Sequence, residues 1–516
     1  MKGAPFHMSR NAFFARTCGS AHTKRRHAPG RICALRAREK IVRTAVDNAF
    51  DFRYNRTYTG RQIFWQSMFA CLREKLMVTV RAFLKYVLPS MLAFALSGVY
   101  SIADGFFVGN QLGDNALAAV NIAYPITAFI QAAGTGIGMG GAIRFAIAAG
   151  GTAPESRHKY FAASCILLAA ASVLLTAVFA FASAPLIRLF GAEGDTYALA
   201  EEYIRVIVWG AVLQIFGTGL VPFIRNMGGS VAAMAAMISG FVTNIVLDYV
   251  FVWVTGWGMT GAAAATVIGQ AVTLIVCAGY LIAKKQKLSL HLGKGAGRLM
   301  RQILLIGLSP FGLTFSPNIT LILVNKFAAI SGGEFAVACY ATVSYISCVV
   351  LLLLQGISDG SQPLMSQYFG EGNEQSAKRV RTYGFIFAAA TAVVCCASLF
   401  FAREYMAGLF GASAEVSNEV AKMLPLFIAG YLFAGVTRMT AAYFYATDKS
   451  WRAYILIFGE PAMLLILLLF MPALLGVWGT WISVPLSQVV ISIVSAVFLF
   501  IFRTKKSVST ESKQNI

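Results

Sequence analysis

Apolar residues in this chain come in long blocks, not in alternation with polar ones. From about residue 86 to 503 such blocks recur twelve times. Each is close to the ~20 residues that carry a helix across a bilayer. The expected spans are 84–110, 116–141, 160–183, 198–221, 231–254, 261–283, 301–326, 335–361, 382–402, 421–444, 453–475 and 481–502. Irregular backbone facing lipid would leave its polar groups unpaired, so the spans are read as helices and the fold class as all-α polytopic membrane protein.

The pattern also repeats. Leu189-Phe190-Gly191-Ala192 returns as Leu409-Phe410-Gly411-Ala412, an offset of 220. The same offset carries Gly113 to Gly333, Gly136 to Gly356, Gly140 to Gly360, Gly150 to Gly370 and Ser230 to Ser450. At an offset of 218, Gly261 maps to Gly479 and Gln270 to Gln488. Six spans per repeat make the two halves parallel, related by a pseudo-twofold axis along the membrane normal. The expected organisation is a basic arm (1–81), an N-lobe (82–283), a linker (284–300), a C-lobe (301–503) and a short tail (504–516). Two six-helix lobes around a cleft are the architecture of an alternating-access carrier.

Composition agrees with the pattern. The 516 residues are 58% hydrophobic and 13% charged, about half the charged share of a soluble chain. The net charge of +21 is not read as a nucleic-acid footprint. Its bases lie in the arm and in the loops of one side, among them Arg157, Lys159, Arg225, Lys284, Lys285, Lys378, Arg379 and Arg452, while the other side carries Asp114, Glu193, Asp195, Glu415 and Glu419. That asymmetry places the basic side, and both termini, in the cytoplasm. The Arg-rich, acid-poor arm lacks the apolar core of a secretory signal. It reads as a lipid-attracted arm, an organelle-targeting segment, or sequence upstream of a start at Met77. Six of the nine cysteines fall within spans, where they act as small apolar residues, so neither disulfides nor metal are expected.

Two carboxylates break the apolar runs. Asp104 lies in the first span and Asp248 in the fifth, where a charge costs roughly 2.5–3.5 kcal/mol even on the lenient insertion scale. Counting the helix rise from the span ends brings both to one level in the outer half of the bilayer. Asn244, one turn before Asp248, shares its face. Thr266, Tyr203 and Tyr100 reach the same level. Neighbouring helices could simply satisfy one such acid. Two acids with an amide and a hydroxyl at matched depth favour an ion or proton pathway. This oxygen set suits Na⁺ or H⁺, and the acids would titrate as a pair.

Ser101-Ile102-Ala103-Asp104-Gly105-Phe106-Phe107-Val108-Gly109, with Leu112-Gly113 and Ala116-Leu117-Ala118-Ala119, resembles the first-span signature of the multidrug and toxic compound extrusion (MATE) family. Asn244-Ile245-Val246-Leu247-Asp248 resembles its fifth-span signature. The resemblance covers residues 84–503. It implies a secondary antiporter in the plasma membrane, monomeric, exporting organic cations or drugs in exchange for Na⁺ or H⁺, with no cofactor. It implies a cation site of Asp104, Asn244, Asp248 and Thr266, supported by Tyr203 and Tyr100, and a bend at Pro89. Another branch of the family places a Glu in span 7 and an Asp in span 10; here Gly312–Asn318 holds no acid and span 10 has none.

Weaker signals remain. Gly134–Gly141 looks like a phosphate loop but lacks a preceding strand and a following Lys, so close helix packing is its expected role. Asp359, expected at an interface near the end of span 8, Glu460 and Arg438 are candidate substrate contacts. Arg438 is also the one feature favouring a lipid-linked saccharide flippase. A channel is the remaining alternative. No nucleophile–base pair or nucleotide motif points to an enzyme.

Overall fold

The computed structural model describes residues 79–511, apart from 153, 287–291, 293–294 and 411–412. Residues 1–78, and with them most of the arm, lie outside the described residues, as do Gly411, Ala412 and the linker's Lys287 and Lys294. The described residues are helical apart from short connections. In chain order the helices are α1 (Val80–Leu112), α2 (Asp114–Gly150), α3 (Arg157–Leu189), α4 (Gly194–Trp209), α5 (Ala211–Asn226), α6 (Ser230–Asp248), α7 (Gly258–Ala283), α8 (Ala296–Gly370), α9 (Glu374–Met406), α10 (Ala414–Ala446), α11 (Ser450–Leu475) and α12 (Val477–Glu511).

These helices map onto twelve membrane crossings after two adjustments. The 75 residues of α8 would extend about 110 Å if straight, several times the ~30 Å hydrocarbon layer. The helix turns at Gly333 (φ 67°, ψ −162°) and so makes two crossings. Conversely, α4 and α5 meet at 58° and share one crossing. A straight span over 198–221 was expected here. Packing is tight at the joint: a Cβ on Gly210 would sit 2.3 Å from Val267 of α7. A hydropathy profile runs smoothly through it. Boundaries also shift, with span 1 beginning at Val80 and span 8 running on to Gly370.

The repeat is visible in the backbone. Left-handed turns occur at Gly113 and Gly333, at Gly228 and Asp448, and at Gly256 and Gly476, each pair 220 residues apart. One core gathers Val108, Ile130, Phe223 and Ala262. The other gathers Ile357, Tyr431, Phe444 and Trp481, and takes in Phe83 and Val87 of α1 with Met139 and Ile143 of α2. Around the outside, Phe181 (86% exposed), Phe401 (82%) and Val173 (71%) present apolar side chains outward, as lipid solvation requires.

The glycines of α2 serve two faces. Gly134 and Gly138 lie against Ile215 and Gly219 of α5 within the first lobe, whereas Gly136 and Gly140 lie against Gly307 and Ile303 of α8 in the second. Gly356 and Gly360 bring the far half of α8 equally close to Met91 and Val87 of α1. A Cβ on Gly140 would stand 2.3 Å from the Ile303 carbonyl oxygen. Gly140→Val is therefore expected to cost about 1–3 kcal/mol, seen as earlier thermal unfolding in detergent. Gly279→Val, which meets open space, is the control.

Candidate functional site

Helix α6 delivers two polar side chains to one face. Asn244 is 2% exposed and Asp248 is fully buried. Immediately after Asp248 the helix widens into a π-turn, Tyr249–Val254, a local departure often found at functional positions. Helix α1 brings Asp104 opposite, and the two carboxyl groups lie within hydrogen-bonding range of each other. Helix α7 adds Thr266, whose hydroxyl accepts from the Asn244 amide at 3.4 Å. Tyr203 of α4, buried, reaches Thr266 and lies within electrostatic reach of both acids. Tyr100, one turn from Asp104, stacks on Phe241 of α6 at 5.1 Å between ring centroids and also feels both acids. The structure thus gathers all six residues, from four crossings, into one cluster.

The cluster is short of donors. Asp104 Oδ1, Asn244 Oδ1 and both carboxylate oxygens of Asp248 are enclosed with no hydrogen-bond partner among the described residues. Buried polar atoms are normally paired. Two facing carboxylates can bond each other only across a shared proton; otherwise they repel unless a cation lies between them. The oxygens gathered here are acceptors without matching donors among the described residues.

Pro89 is buried in α1 between Val87 and Met91, the two residues that meet Gly360 and Gly356 of α8. Its ring removes one helical hydrogen bond where the first lobe touches the second.

Asp359, for which the sequence leaves a cavity-lining and a solvated interfacial position equally open, is enclosed by protein. Span 8 continues a further three turns to Gly370, and Asp359 is 4% exposed. Its Oδ2 faces Arg225 Nη1 of α5 at 3.5 Å. Arg225 also donates to Ser90 of α1 at 3.2 Å, and Asp359 Oδ1 accepts from Gln355 at 2.8 Å. Arg438 has a partner as well: Nη1 donates to Gln355 Oε1 at 2.7 Å. Glu460 lies on the inward face of α11 near Gln488. Further pairs join the lobes at the same end: Asn226 with Gln362 at 3.0 Å, and Arg144 with Asp448 at 2.7 Å. The ends carrying the basic loops are closed against each other.

Sequence reasoning missed Arg225, Ser90, Gln355, Tyr124 and Tyr345. Tyr124 and Tyr345 are 43% and 36% exposed although they belong to interior-facing stripes, and each feels the charge of Asp104.

Comparison with known proteins gives a consistent likeness. A family profile described as MatE matches residues 89–250 and 306–471. The chain is 24% identical over 440 residues to the multidrug export protein MepA of Staphylococcus aureus, covering 83% of this chain and 95% of that protein. Among solved structures, one titled as the outward-facing conformation of a multidrug resistance MATE family transporter of the MOP superfamily aligns with a TM-score of 0.76 at 26% identity, over 82% of this chain and 96% of that one. A MOP superfamily transporter from Pyrococcus furiosus, for which a reverse polarity of the binding pocket suggests a different function, aligns with a TM-score of 0.77 at 26% identity, over 81% of this chain and 94% of that one.

Proposed function

The chain belongs to the MatE family of multidrug and toxic compound extrusion transporters, and from that premise we propose that it is a secondary antiporter exporting organic cations and drugs in exchange for inward Na⁺ or H⁺. The observation that carries the proposal is the donor-poor pair, Asp104 and Asp248, three of whose oxygens are enclosed and unpartnered, with Asn244 Oδ1 a fourth beside them. Asp104, Asn244, Asp248 and Thr266 hold the coupling ion; Tyr203 and Tyr100 position them.

An ion drives transport only by binding the two conformations differently. Helix α1 supplies one acid of the pair and, fifteen residues away, Pro89, whose neighbours Val87 and Met91 meet α8. Neutralising the pair removes the repulsion that opposes its closure, and α1 then bends where its hydrogen bonding is already interrupted. The basic loops face the cytoplasm. The lobes are joined at that end, so this conformation faces outward. The protein acts as a monomer in the plasma membrane.

The test is dye efflux from proteoliposomes holding the purified protein, with sodium and pH gradients imposed separately. Dye is expected to move against its own gradient under one of them. Flux that is the same with and without either gradient would favour a channel and overturn the antiport reading.

A further inference from the structure

Helix α9 starts beside the basic loops and ends on the opposite side of the molecule. From Arg381 to Arg403 is 403 − 381 = 22 residues, about 33 Å of helix rise and close to the ~30 Å thickness of the hydrocarbon layer. Arg403 thus stands at the outer edge of that layer. Phe401 and Tyr405, near it on α9, are exposed, which marks this corner of the lobe as lipid-facing. A cavity of about 690 Å³ lies here between the end of α9 and the start of α10, lined by Arg403, Glu404, Ser417, Asn418, Lys422 and Pro425. Its volume is that of a small-molecule site.

Two opposite charges in this cavity are uncommitted. The ion pairs among the described residues leave out both Arg403 and Glu404. Lys422, by contrast, is held by Glu419 at 3.1 Å. The Arg403 guanidinium lies over the ring of Phe400, three residues earlier, at 4.6 Å. A base at this depth ordinarily stretches outward to water. This one is laid back toward the bilayer, because the preceding turn of α9 lies on the hydrocarbon side.

The first lobe offers a comparison. It has a cavity of about 570 Å³ in the matching corner, lined by Ala184, Pro185, Arg188, Leu189 and Tyr197. Ala184 and Tyr197 stand 220 residues before Glu404 and Ser417. There the base is covered, since Arg188 lies over the Tyr197 ring at 4.7 Å, and no acid is among the lining residues. Of the two cavities, the second lobe's alone presents both signs of charge.

We propose that the cavity between α9 and α10 binds the headgroup of an outer-leaflet lipid in which a phosphate diester is joined to a primary ammonium. The phosphate meets the planar fork of Arg403, with the Ser417 hydroxyl and the Asn418 amide as further donors. The ammonium meets Glu404. The acyl chains run into the hydrocarbon past Phe400 and Phe401. This site is separate from the acid pair and does not depend on the identity of the coupling ion.

Native mass spectrometry of the purified protein, supplied with equal amounts of phosphatidylethanolamine, phosphatidylcholine and phosphatidylglycerol, reads which lipid is retained and in how many copies. One copy of phosphatidylethanolamine is expected, retained about tenfold over phosphatidylglycerol, which has no cation for Glu404, and several-fold over phosphatidylcholine, whose ammonium has no N–H to donate. Arg403→Gln lowers that retention about tenfold, and Glu404→Gln lowers it to the level of phosphatidylglycerol. Arg188→Gln, in the first lobe's cavity, changes nothing. Free O-phosphoethanolamine at the same concentration leaves the lipid in place. The inference falls if the wild type retains no lipid or all three equally, if either variant at Arg403 or Glu404 retains phosphatidylethanolamine as the wild type does, or if Arg188→Gln reduces it by the same factor. Displacement by free O-phosphoethanolamine would overturn the assignment to a lipid.

Discussion

Asp248→Asn lowers gradient-driven dye export by about a hundredfold or more, to the leak of protein-free liposomes. Asp248 is the most enclosed charge among the described residues, and neither of its oxygens has a donor there. The amide keeps the volume but cannot take a proton at neutral pH and brings two N–H donors of its own. In the amide variant Asp104 no longer faces a second carboxylate, and the shared positive charge loses its second anchor. Removing one partner from a buried charged site costs about 3–5 kcal/mol, and each 1.4 kcal/mol is about tenfold. Asp104→Asn fails for the same reason, and the double variant is no worse than either single one, because the pair acts as a unit. The measurement is efflux rate under the driving gradient at equal protein abundance. Wild-type rates in both single variants would remove the ion site from the mechanism.

The second large effect concerns the closed end. Asp359→Ala leaves Arg225, 5% exposed, with only the Ser90 hydroxyl and the face of Phe94 at 5.7 Å to replace its carboxylate. The cost is about 3 kcal/mol, the lower end of the range for breaking a buried pair, because the two groups are 3.5 Å apart. The lobes should therefore separate there roughly a hundredfold more often. Ser90→Cys, carried by parent and variants alike in a background whose native cysteines are replaced, reports the opening through its rate of reaction with a polar maleimide. The rate rises in Asp359→Ala and falls back in the double variant Arg225→Met with Asp359→Leu, where no stranded charge remains. That double variant stays shut and turns over slowly. Equal labelling in Asp359→Ala and its parent would show that the pair does not hold the end closed. The Arg144–Asp448 contact is more exposed, at 17% and 40%, and contributes at most about 1 kcal/mol.

These two sites differ in how far the sequence reveals them. Asp104 and Asp248 are conspicuous because a charge inside an apolar run has few explanations, and helix rise alone brings them level. Asn244 and Thr266 follow from the same arithmetic. Arg225 is hidden by its position: it closes a span next to a loop, where a base normally serves orientation, and only the packed lobes reveal Asp359 across from it. The break at Gly210, where the chain packs on Val267 of a distant segment, leaves no mark on the hydropathy profile. Tyr124 and Tyr345 are lost among many aromatic residues that face lipid. The glycine spacing of α2 foretells close packing, but not that alternate glycines serve opposite lobes.

The left-handed turns recur at a spacing of 220 residues, and the acids do not. The positions that echo Asp104, Asn244 and Asp248 are Val324, Leu464 and Leu468. The duplicated skeleton carries unlike chemistry in its two halves. Side chains of the second half can therefore be exchanged without touching the acid pair of the first.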